Sequence, residues 1–308
     1  MLVNLLLLAA GLALLTFGAD FLVRGAISLA NRFGMPPLLI GLTVVGFGTS
    51  MPELLVSLQA ALGGAPAIAV GNVVGSNIAN ILLILGVAAA ISPINARIPN
   101  LPRDLVMMIV AALVMLGLGY LGVVGFWPGL AMFLGLAAYL AWVTSTDRCK
   151  PGEEAEDLKV RLSGWKELVY IIGGLAGLFI GAHFLIGAAT EIARGFGISE
   201  AVIGLTIVAV GTSLPELATS VVAAYRGQSE VALGNVVGSN IFNILGILGI
   251  TAMVIPVPIE SSIASFDNPF MLAVSLALMA LILIVGRIGR GPGIAMLAIY
   301  TGYVAWLL

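Results

Sequence analysis

The octet GNVVGSNI stands at residues 71–78 and returns at residues 234–241, each time inside an otherwise apolar segment. Its two glycines, four residues apart, form the small-xxx-small pair that lets helices pack closely. Close packing does not require two asparagines and a serine, which are costly in apolar surroundings unless they are hydrogen-bonded. The repeated octet therefore indicates a duplicated chain in which each half contributes one face of a single polar centre.

The repeat extends well beyond the octet. A shift of 163 residues (234 minus 71) aligns roughly residues 18–86 with 181–249. Within it, GTSMPEL at 48–54 matches GTSLPEL at 211–217, so a Thr-Ser-x-Pro-Glu sequence occurs once in each half. Two related halves are typical of secondary transporters, whose binding sites lie where the repeats meet near the middle of the membrane.

Composition places the chain in a membrane. Of its 308 residues, 60% are hydrophobic and 9% are charged, and the mean hydropathy is +1.16. A soluble domain needs far more surface charge. The net charge of −2 does not indicate a nucleic-acid partner, and the single cysteine, Cys149, excludes an internal disulfide. The N-terminal segment lacks the basic region and cleavage site of a signal peptide, so we interpret it as the first spanning helix.

Ten apolar segments are long enough to cross a bilayer. Equivalent points of the two repeats are separated by five spans, an odd number, so the copies cross the membrane in opposite directions. The sequence thus predicts an all-α integral membrane protein with ten transmembrane helices in two inverted five-helix repeats, residues 1–146 and 166–308, joined by a linker at 147–165. The predicted spans are roughly 2–22, 38–62, 68–93, 104–121, 126–146, 166–188, 200–225, 229–256, 269–286 and 291–308.

Basic residues predict the orientation. With both termini outside, 12 of the 13 lysines and arginines lie at cytoplasmic helix ends or loops, and Arg194 alone lies outside. Positively charged loops face the cytoplasm in most membrane proteins. We therefore predict a multi-pass protein of the cell membrane, with extracellular or periplasmic termini and a cytoplasmic linker.

Glu53 and Glu216 are the sharpest candidates for function, because each lies in an apolar span without a nearby lysine or arginine. A glutamate in a span faces the protein interior or a cavity and marks an ion pathway by default. Pro52 and Pro215 precede them and interrupt the helix, since proline lacks an N–H. The freed backbone oxygens, at residues 46–49 and 209–212, are of the kind that coordinates cations in transporters.

Further oxygen-bearing side chains surround these glutamates in the sequence. Thr49 and Ser50 share a helix face with Glu53, and the octet helices carry polar stripes at four-residue spacing: Asn72, Ser76 and Asn80, then Asn235, Ser239 and Asn243. A site built only from oxygens favours hard cations such as Ca²⁺ and Na⁺ over zinc or copper. The asparagines Asn72, Asn77, Asn235 and Asn240 can instead serve as hydrogen-bonding groups between helices.

These motifs closely resemble the two α-repeats of the cation/Ca²⁺ exchanger superfamily, especially microbial sodium/calcium exchangers, over nearly the whole chain. The resemblance implies Na⁺-driven, electrogenic Ca²⁺ transport by alternating access, with the first and sixth helices sliding across the others. It implies a transporter without cofactor whose ions are its substrates. The ligands that it implies are Gly46, Thr49, Ser50, Glu53, Ser76 and Asn80 in the first half, and Ala209, Thr212, Ser213, Glu216, Ser239 and Asn243 in the second.

One position departs from part of the superfamily. Several relatives, including potassium-dependent exchangers, have aspartate where this chain has Asn243, so only two carboxylates remain here and K⁺ cotransport is disfavoured. Asp20 and its repeat-mate His183 are expected at a helix interface rather than in the site. The short linker leaves no room for a cytoplasmic Ca²⁺-sensing domain, and a self-sufficient ten-helix unit is compatible with a monomer.

Two alternatives stay open at this stage. The same site could couple Ca²⁺ to H⁺, because buried glutamates protonate readily, although protons need no cage of hydroxyl groups. An intramembrane enzyme would need a nucleophile with a base. The single histidine, His183, lies on another helix than Ser50 and Ser213, and a duplicated site fits ion binding better than an asymmetric reaction.

Overall fold

The computed structural model describes residues 2–147, 162–196 and 211–307 as helices joined by short turns. The first part of the chain forms α1 Leu2–Phe33, α2 Pro37–Ile40, π1 Gly41–Val45, α3 Gly46–Thr49, α4 Met51–Leu62, α5 Ala67–Ala79, π2 Asn80–Ile84, α6 Leu85–Ile91, β1 Ile94–Asn95, α7 Leu101–Leu121, β2 Val123–Val124 and α8 Phe126–Thr146. The elements named π are wider helical turns, which often occur at functional sites.

The second part has a similar order within the described residues, with an additional wide turn, π4, before α13. It comprises α9 Gly164–Gly195, α10 Leu214–Tyr225, α11 Ser229–Ile241, π3 Phe242–Leu248, α12 Gly249–Val254, β3 Val257–Pro258, π4 Ile263–Asp267, α13 Asn268–Val285, β4 Arg287–Ile288 and α14 Arg290–Leu307. Four antiparallel two-residue strands link the parts, β1 with β4 and β2 with β3.

Seven helices within the described ranges are long and apolar enough to cross a membrane, and a bent pair, Pro37–Thr49 with Met51–Leu62, gives an eighth candidate. The pair bends by 41° at Ser50, so the predicted span at 38–62 is a broken helix. Part of the predicted span at 200–225 lies outside the described residues. The last predicted span is the helix Arg290–Leu307. The chain is mostly helical, as predicted.

Helices α1 and α9 are longer than the spans predicted for them, because each continues past residue 22 or 188 to a total of 32 residues. Opposite charges allow the extension of α1. Glu167 is buried and accepts hydrogen bonds from Ser28 Oγ at 2.8 Å and from Arg32 at 3.1 Å. Ion pairing of this kind keeps polar side chains within the helix pair.

Glycines bring the main chains of α1 and α9 into contact. A β carbon on Gly18 would lie 2.9 Å from the carbonyl oxygen of Gly174, and one on Gly181 would lie 2.9 Å from that of Gly11. Side chains do not fit at such distances, so the pair packs as membrane helices with small residues at their interface do. This packing holds the main chains of α1 and α9 in direct contact.

A buried ionic cluster joins α7 to the end of α8. The Arg103 guanidinium donates to Asp104 at 2.7 Å and to Asp147 at 2.6 and 2.8 Å, and Tyr139 Oη donates to Asp104 at 2.8 Å. The same guanidinium lies over the Trp142 ring, 5.4 Å from its centroid. The cluster holds Asp147, the first residue of the predicted linker, against α7.

Candidate cation site

The two Thr-Ser-x-Pro-Glu segments adopt the same local structure. Ser50 (φ −83°, ψ 6°) and Ser213 (φ −88°, ψ 7°) each precede a helix, and a proline occupies the beginning of that helix. Proline is tolerated there because the first N–H groups of a helix have no intrahelical partner. Glu53 and Glu216 therefore lie in the first turns of α4 and α10, where the helix dipole favours a negative charge.

Hydrogen bonds across the two halves bring the carboxylates to one centre. Ser213 Oγ donates to Glu53 Oε1 at 3.2 Å, and Ser50 Oγ donates to Glu216 Oε1 at 3.0 Å. Each glutamate is thus bound by the serine that precedes the other glutamate. Both glutamates are 1% exposed, so their side chains lie in the protein interior.

Four carboxylate and amide oxygens of this region are buried and find no hydrogen-bond donor among the described residues. They are Oε2 of Glu53 and Glu216, and Oδ1 of Asn80 and Asn243. They form two pairs at equivalent positions of the repeat. A buried acceptor without a donor costs about 1–3 kcal/mol, and more when it is charged. A hard cation satisfies such oxygens directly, which makes this group the candidate ion-binding set.

Serine, threonine and glycine oxygens surround this group. Ser239 Oγ donates to the Gly46 carbonyl at 3.3 Å, and the Thr49 hydroxyl lies 3.0 Å from the Val45 carbonyl and 3.1 Å from Asn235 Oδ1. Ser76 is buried, as is Ser213, while Thr212 is half-buried in the turn before α10. Ala209, the predicted counterpart of Gly46, lies outside the described residues.

Asn72 and Asn235 connect the octet helices to the glutamate helices. Asn72 Nδ2 donates to the Glu53 carbonyl at 3.1 Å and to Ser57 Oγ at 3.0 Å. Asn235 Nδ2 donates to the Glu216 carbonyl at 3.3 Å and to Ser220 Oγ at 2.9 Å. These two asparagines act between helices, which was one of the two interpretations that the sequence left open.

Asn77 and Asn240 bond to each other's main chain and to the amides of Asn243 and Asn80. The sequence did not single them out as site residues. Both are the seventh residue of an octet, which indicated a shared role. The same repetition is expected of asparagines that only form hydrogen bonds between helices, so the sequence did not distinguish the two roles.

Asp20 lies at a helix interface. Its carboxylate pairs with Arg24 at 2.9 Å and with Arg226 at the end of α10. His183 is exposed on α9, so the expectation that it lies at a helix interface is wrong. The described residues hold no cluster of three or more Asp, Glu, His and Cys side chains, so the candidate site combines two carboxylates with neutral oxygens.

Comparison with known proteins identifies the family. The family model described as sodium/calcium exchanger protein matches residues 3–145 and 166–308. The chain belongs to the sodium/calcium exchanger family. It is therefore an integral membrane protein of a transporter family and not an enzyme.

Several microbial relatives match over nearly their full length. The sodium/calcium exchanger MaX1 of Methanosarcina acetivorans is 35% identical, over 99% of this chain and 98% of its own. The inner membrane protein YrbG of Escherichia coli is 36% identical, over 100% of this chain and 96% of its own. The solved structure of the sodium-calcium exchanger NCX_Mj, soaked with Na⁺ and Ca²⁺, superposes with a TM-score of 0.87 at 34% identity and covers 100% of this chain and 99% of that one.

Proposed function

We propose that the protein exchanges Na⁺ for Ca²⁺ across the cell membrane by alternating access to one central site. The observation that carries the proposal is the set of four buried oxygens on Glu53, Glu216, Asn80 and Asn243, for which the part of the chain that the structure describes supplies no donor. Two of them are carboxylate oxygens, so the site offers up to two negative charges to a divalent cation. MaX1 and NCX_Mj are both named sodium/calcium exchangers, which supports the same pair of ions here.

The ligand set that we propose is wider than these four oxygens. Hydroxyl oxygens and backbone carbonyls complete a shell that replaces the water around the ion, as all-oxygen Ca²⁺ and Na⁺ sites require. Na⁺, with a single charge, needs fewer carboxylates than Ca²⁺, so several Na⁺ ions can share the two glutamates with the hydroxyl groups. The proposed ligands are Gly46, Thr49, Ser50, Glu53, Ser76, Asn80, Ala209, Thr212, Ser213, Glu216, Ser239 and Asn243.

We further propose ten spans in two inverted repeats, residues 1–146 and 166–308, with both termini outside and the linker at 147–165 in the cytoplasm. Paired contacts related by the repeat support this arrangement. Tyr139 donates to Asp104 in the first half and Tyr303 donates to Asp267 in the second, both at 2.8 Å. The serine-to-glutamate hydrogen bonds are exchanged between the halves in the same way. Inverted repeats allow one site to open to either side in turn.

Transport in proteoliposomes with the driving gradient varied tests the function. Purified protein is reconstituted, and uptake of ⁴⁵Ca²⁺ is measured with an outward gradient of Na⁺, K⁺ or H⁺ of equal size. We expect that only the Na⁺ gradient drives ⁴⁵Ca²⁺ uptake. Uptake with H⁺ alone would assign the protein to Ca²⁺/H⁺ antiport, and no uptake with any gradient would reject Ca²⁺ exchange.

The exposed Glu191 offers a matched control for the central carboxylates. It is 58% exposed on α9 and pairs with Arg194, so its replacement by glutamine makes the same chemical change outside the site. Glu191→Gln should transport at the wild-type rate, whereas Glu53→Gln should not. Equal transport by the two variants would contradict the proposed site.

A further inference from the structure

Asn77 and Asn240 form a closed hydrogen-bonded arrangement with Asn80 and Asn243. Asn77 Nδ2 donates to the Asn240 carbonyl at 3.2 Å, and Asn240 Nδ2 donates to the Asn77 carbonyl at 3.4 Å. Asn243 Nδ2 donates to Asn77 Oδ1 at 3.0 Å, and Asn80 Nδ2 donates to Asn240 Oδ1 at 2.9 Å. All four residues are buried, with relative exposures of 1%.

The main-chain carbonyls determine the direction of every bond in this arrangement. A carbonyl can only accept, so Asn77 must direct its NH₂ group to the Asn240 carbonyl. The Oδ1 of Asn77 can then only accept from Asn243, which must donate its own NH₂ group. The Oδ1 of Asn243 is the oxygen that remains, and it is buried with no donor within residues 2–147, 162–196 and 211–307. The other half is equivalent. Asn240 donates its NH₂ group to the Asn77 carbonyl and accepts from Asn80 at its Oδ1, so the Oδ1 of Asn80 is left over in the same way.

The direction matters because the two ends of an amide have nearly the same shape and opposite polarity. A flipped Asn243 would present an NH₂ group where a cation needs an oxygen, so the amide would repel the cation instead of attracting it. Burial and packing alone do not prevent the flip. Only a hydrogen-bond partner of defined polarity does.

We propose that Asn77 and Asn240 are positioning residues that hold the amide oxygens of Asn243 and Asn80 toward the transported cation. Each acts on the ligand of the opposite half, so the ion-binding geometry of each repeat depends on the other. The proposal rests on the proposed function, because it assigns Asn80 and Asn243 as ligands. Neither Asn77 nor Asn240 contacts the ion in this account.

A carboxylate at position 243 needs no orienting partner, because both of its ends are oxygen, and Asn77→Leu also removes the acceptor Asn77 Oδ1 that would face this carboxylate. This provides a double-mutant cycle with three backgrounds: wild type, Asn243→Asp and Asn80→Asp. Asn77→Leu is introduced into each, since leucine has a similar volume and neither donates nor accepts. Asn77→Ser serves as a second variant in case leucine prevents folding, because its hydroxyl cannot reach both partners of the amide.

The measured quantities are the Ca²⁺ concentration for half-maximal ⁴⁵Ca²⁺ uptake and the maximal rate, together with the Ca²⁺ dependence of thermal denaturation of the purified protein. We expect Asn77→Leu to raise the half-maximal concentration by about tenfold in the wild-type and Asn80→Asp backgrounds, as for loss of one oriented ligand. In the Asn243→Asp background the increase should be less than about threefold. Asn240→Leu should show the mirror pattern, with rescue by Asn80→Asp alone.

An equal increase in all three backgrounds would overturn the positioning role, because Asn77 would then act through packing alone. If the wild type still showed Na⁺-driven uptake, the proposed exchange function would stand. Conversely, a wild type that binds Ca²⁺ without Na⁺-driven uptake would reject the exchange function. The Ca²⁺ dependence of thermal denaturation would then still show whether Asn77→Leu has a smaller effect in the Asn243→Asp background. A wild type with no response to Ca²⁺ in either measurement would reject both.

Discussion

Replacing Gly238 with alanine should loosen the contact between the second octet and π1, the wide turn that precedes the helix break at Ser50. Gly238 packs against the main chain of Leu42, and an added β carbon would lie 2.7 Å from Leu42 Cα and 2.8 Å from its carbonyl carbon. Ordinary carbon–carbon contacts are about 3.5–4.0 Å, so the two segments must separate by roughly 1 Å.

The magnitude follows from what that separation breaks. The hydrogen bonds from Ser239 to Gly46 at 3.3 Å and from Thr49 to Asn235 at 3.1 Å cross the same interface, and both would exceed hydrogen-bonding distance. Their loss costs about 1 kcal/mol each. Overpacking adds about 1–3 kcal/mol, and the better helix propensity of alanine returns about 1 kcal/mol. The net destabilisation is about 2–4 kcal/mol.

Thermal denaturation of the purified protein, with and without Ca²⁺, measures this effect. Gly135→Ala is the control, because Gly135 is exposed in the middle of α8 with no neighbour near an added β carbon. Gly238→Ala should lower the melting temperature and weaken the stabilisation by Ca²⁺, whereas Gly135→Ala should do neither. Equal behaviour of the two variants would refute the claim that octet glycines position the site.

Three further predictions concern charged and amide groups. Glu53→Gln and Glu216→Gln should each lower Na⁺-driven ⁴⁵Ca²⁺ uptake by about 100-fold or more, because each removes one of two ion-facing charges. Asn243→Asp should change the competition of Na⁺, K⁺ and H⁺ with Ca²⁺, because it adds a third carboxylate to the site. Arg103→Met should destabilise the protein by about 3–5 kcal/mol, measured by thermal denaturation, because it leaves Asp104 buried without its charged partner.

Each of these has a clear contrary result. Wild-type uptake by either glutamine variant would remove that carboxylate from the site. Unchanged competition curves for Asn243→Asp would mean that this side chain does not face the ions. An unchanged melting temperature for Arg103→Met would mean that the ionic cluster contributes no net stability.

The sequence predicted the helical membrane fold and the helix break because both depend on strong local signals. Apolar length determines a span, and Pro52 and Pro215 have no N–H for a continuous helix, so a new helix begins at the residue before each of them. It did not predict the full length of α1 and α9. The predicted spans ended at residues 22 and 188, and the contacts of Glu167 with Ser28 and Arg32 join residues 139 and 135 positions apart, which no local pattern reveals.

The sequence identified the candidate ligands better than their partners. Glu53 and Glu216 stood out because a charge in an apolar span is rare. Which serine bonds to which glutamate could not be predicted, since each bond crosses between the halves. The role that we propose for Asn77 and Asn240 was equally hidden, because it depends on the direction of hydrogen bonds and not on residue type.

Anomalous scattering from Sr²⁺, a divalent substitute for Ca²⁺, tests the central claim most directly in crystals of the protein. The account predicts one strong peak at mid-membrane that contacts carboxylate oxygens of both Glu53 and Glu216. A strong peak that contacts only one of these carboxylates, or neither, would contradict it.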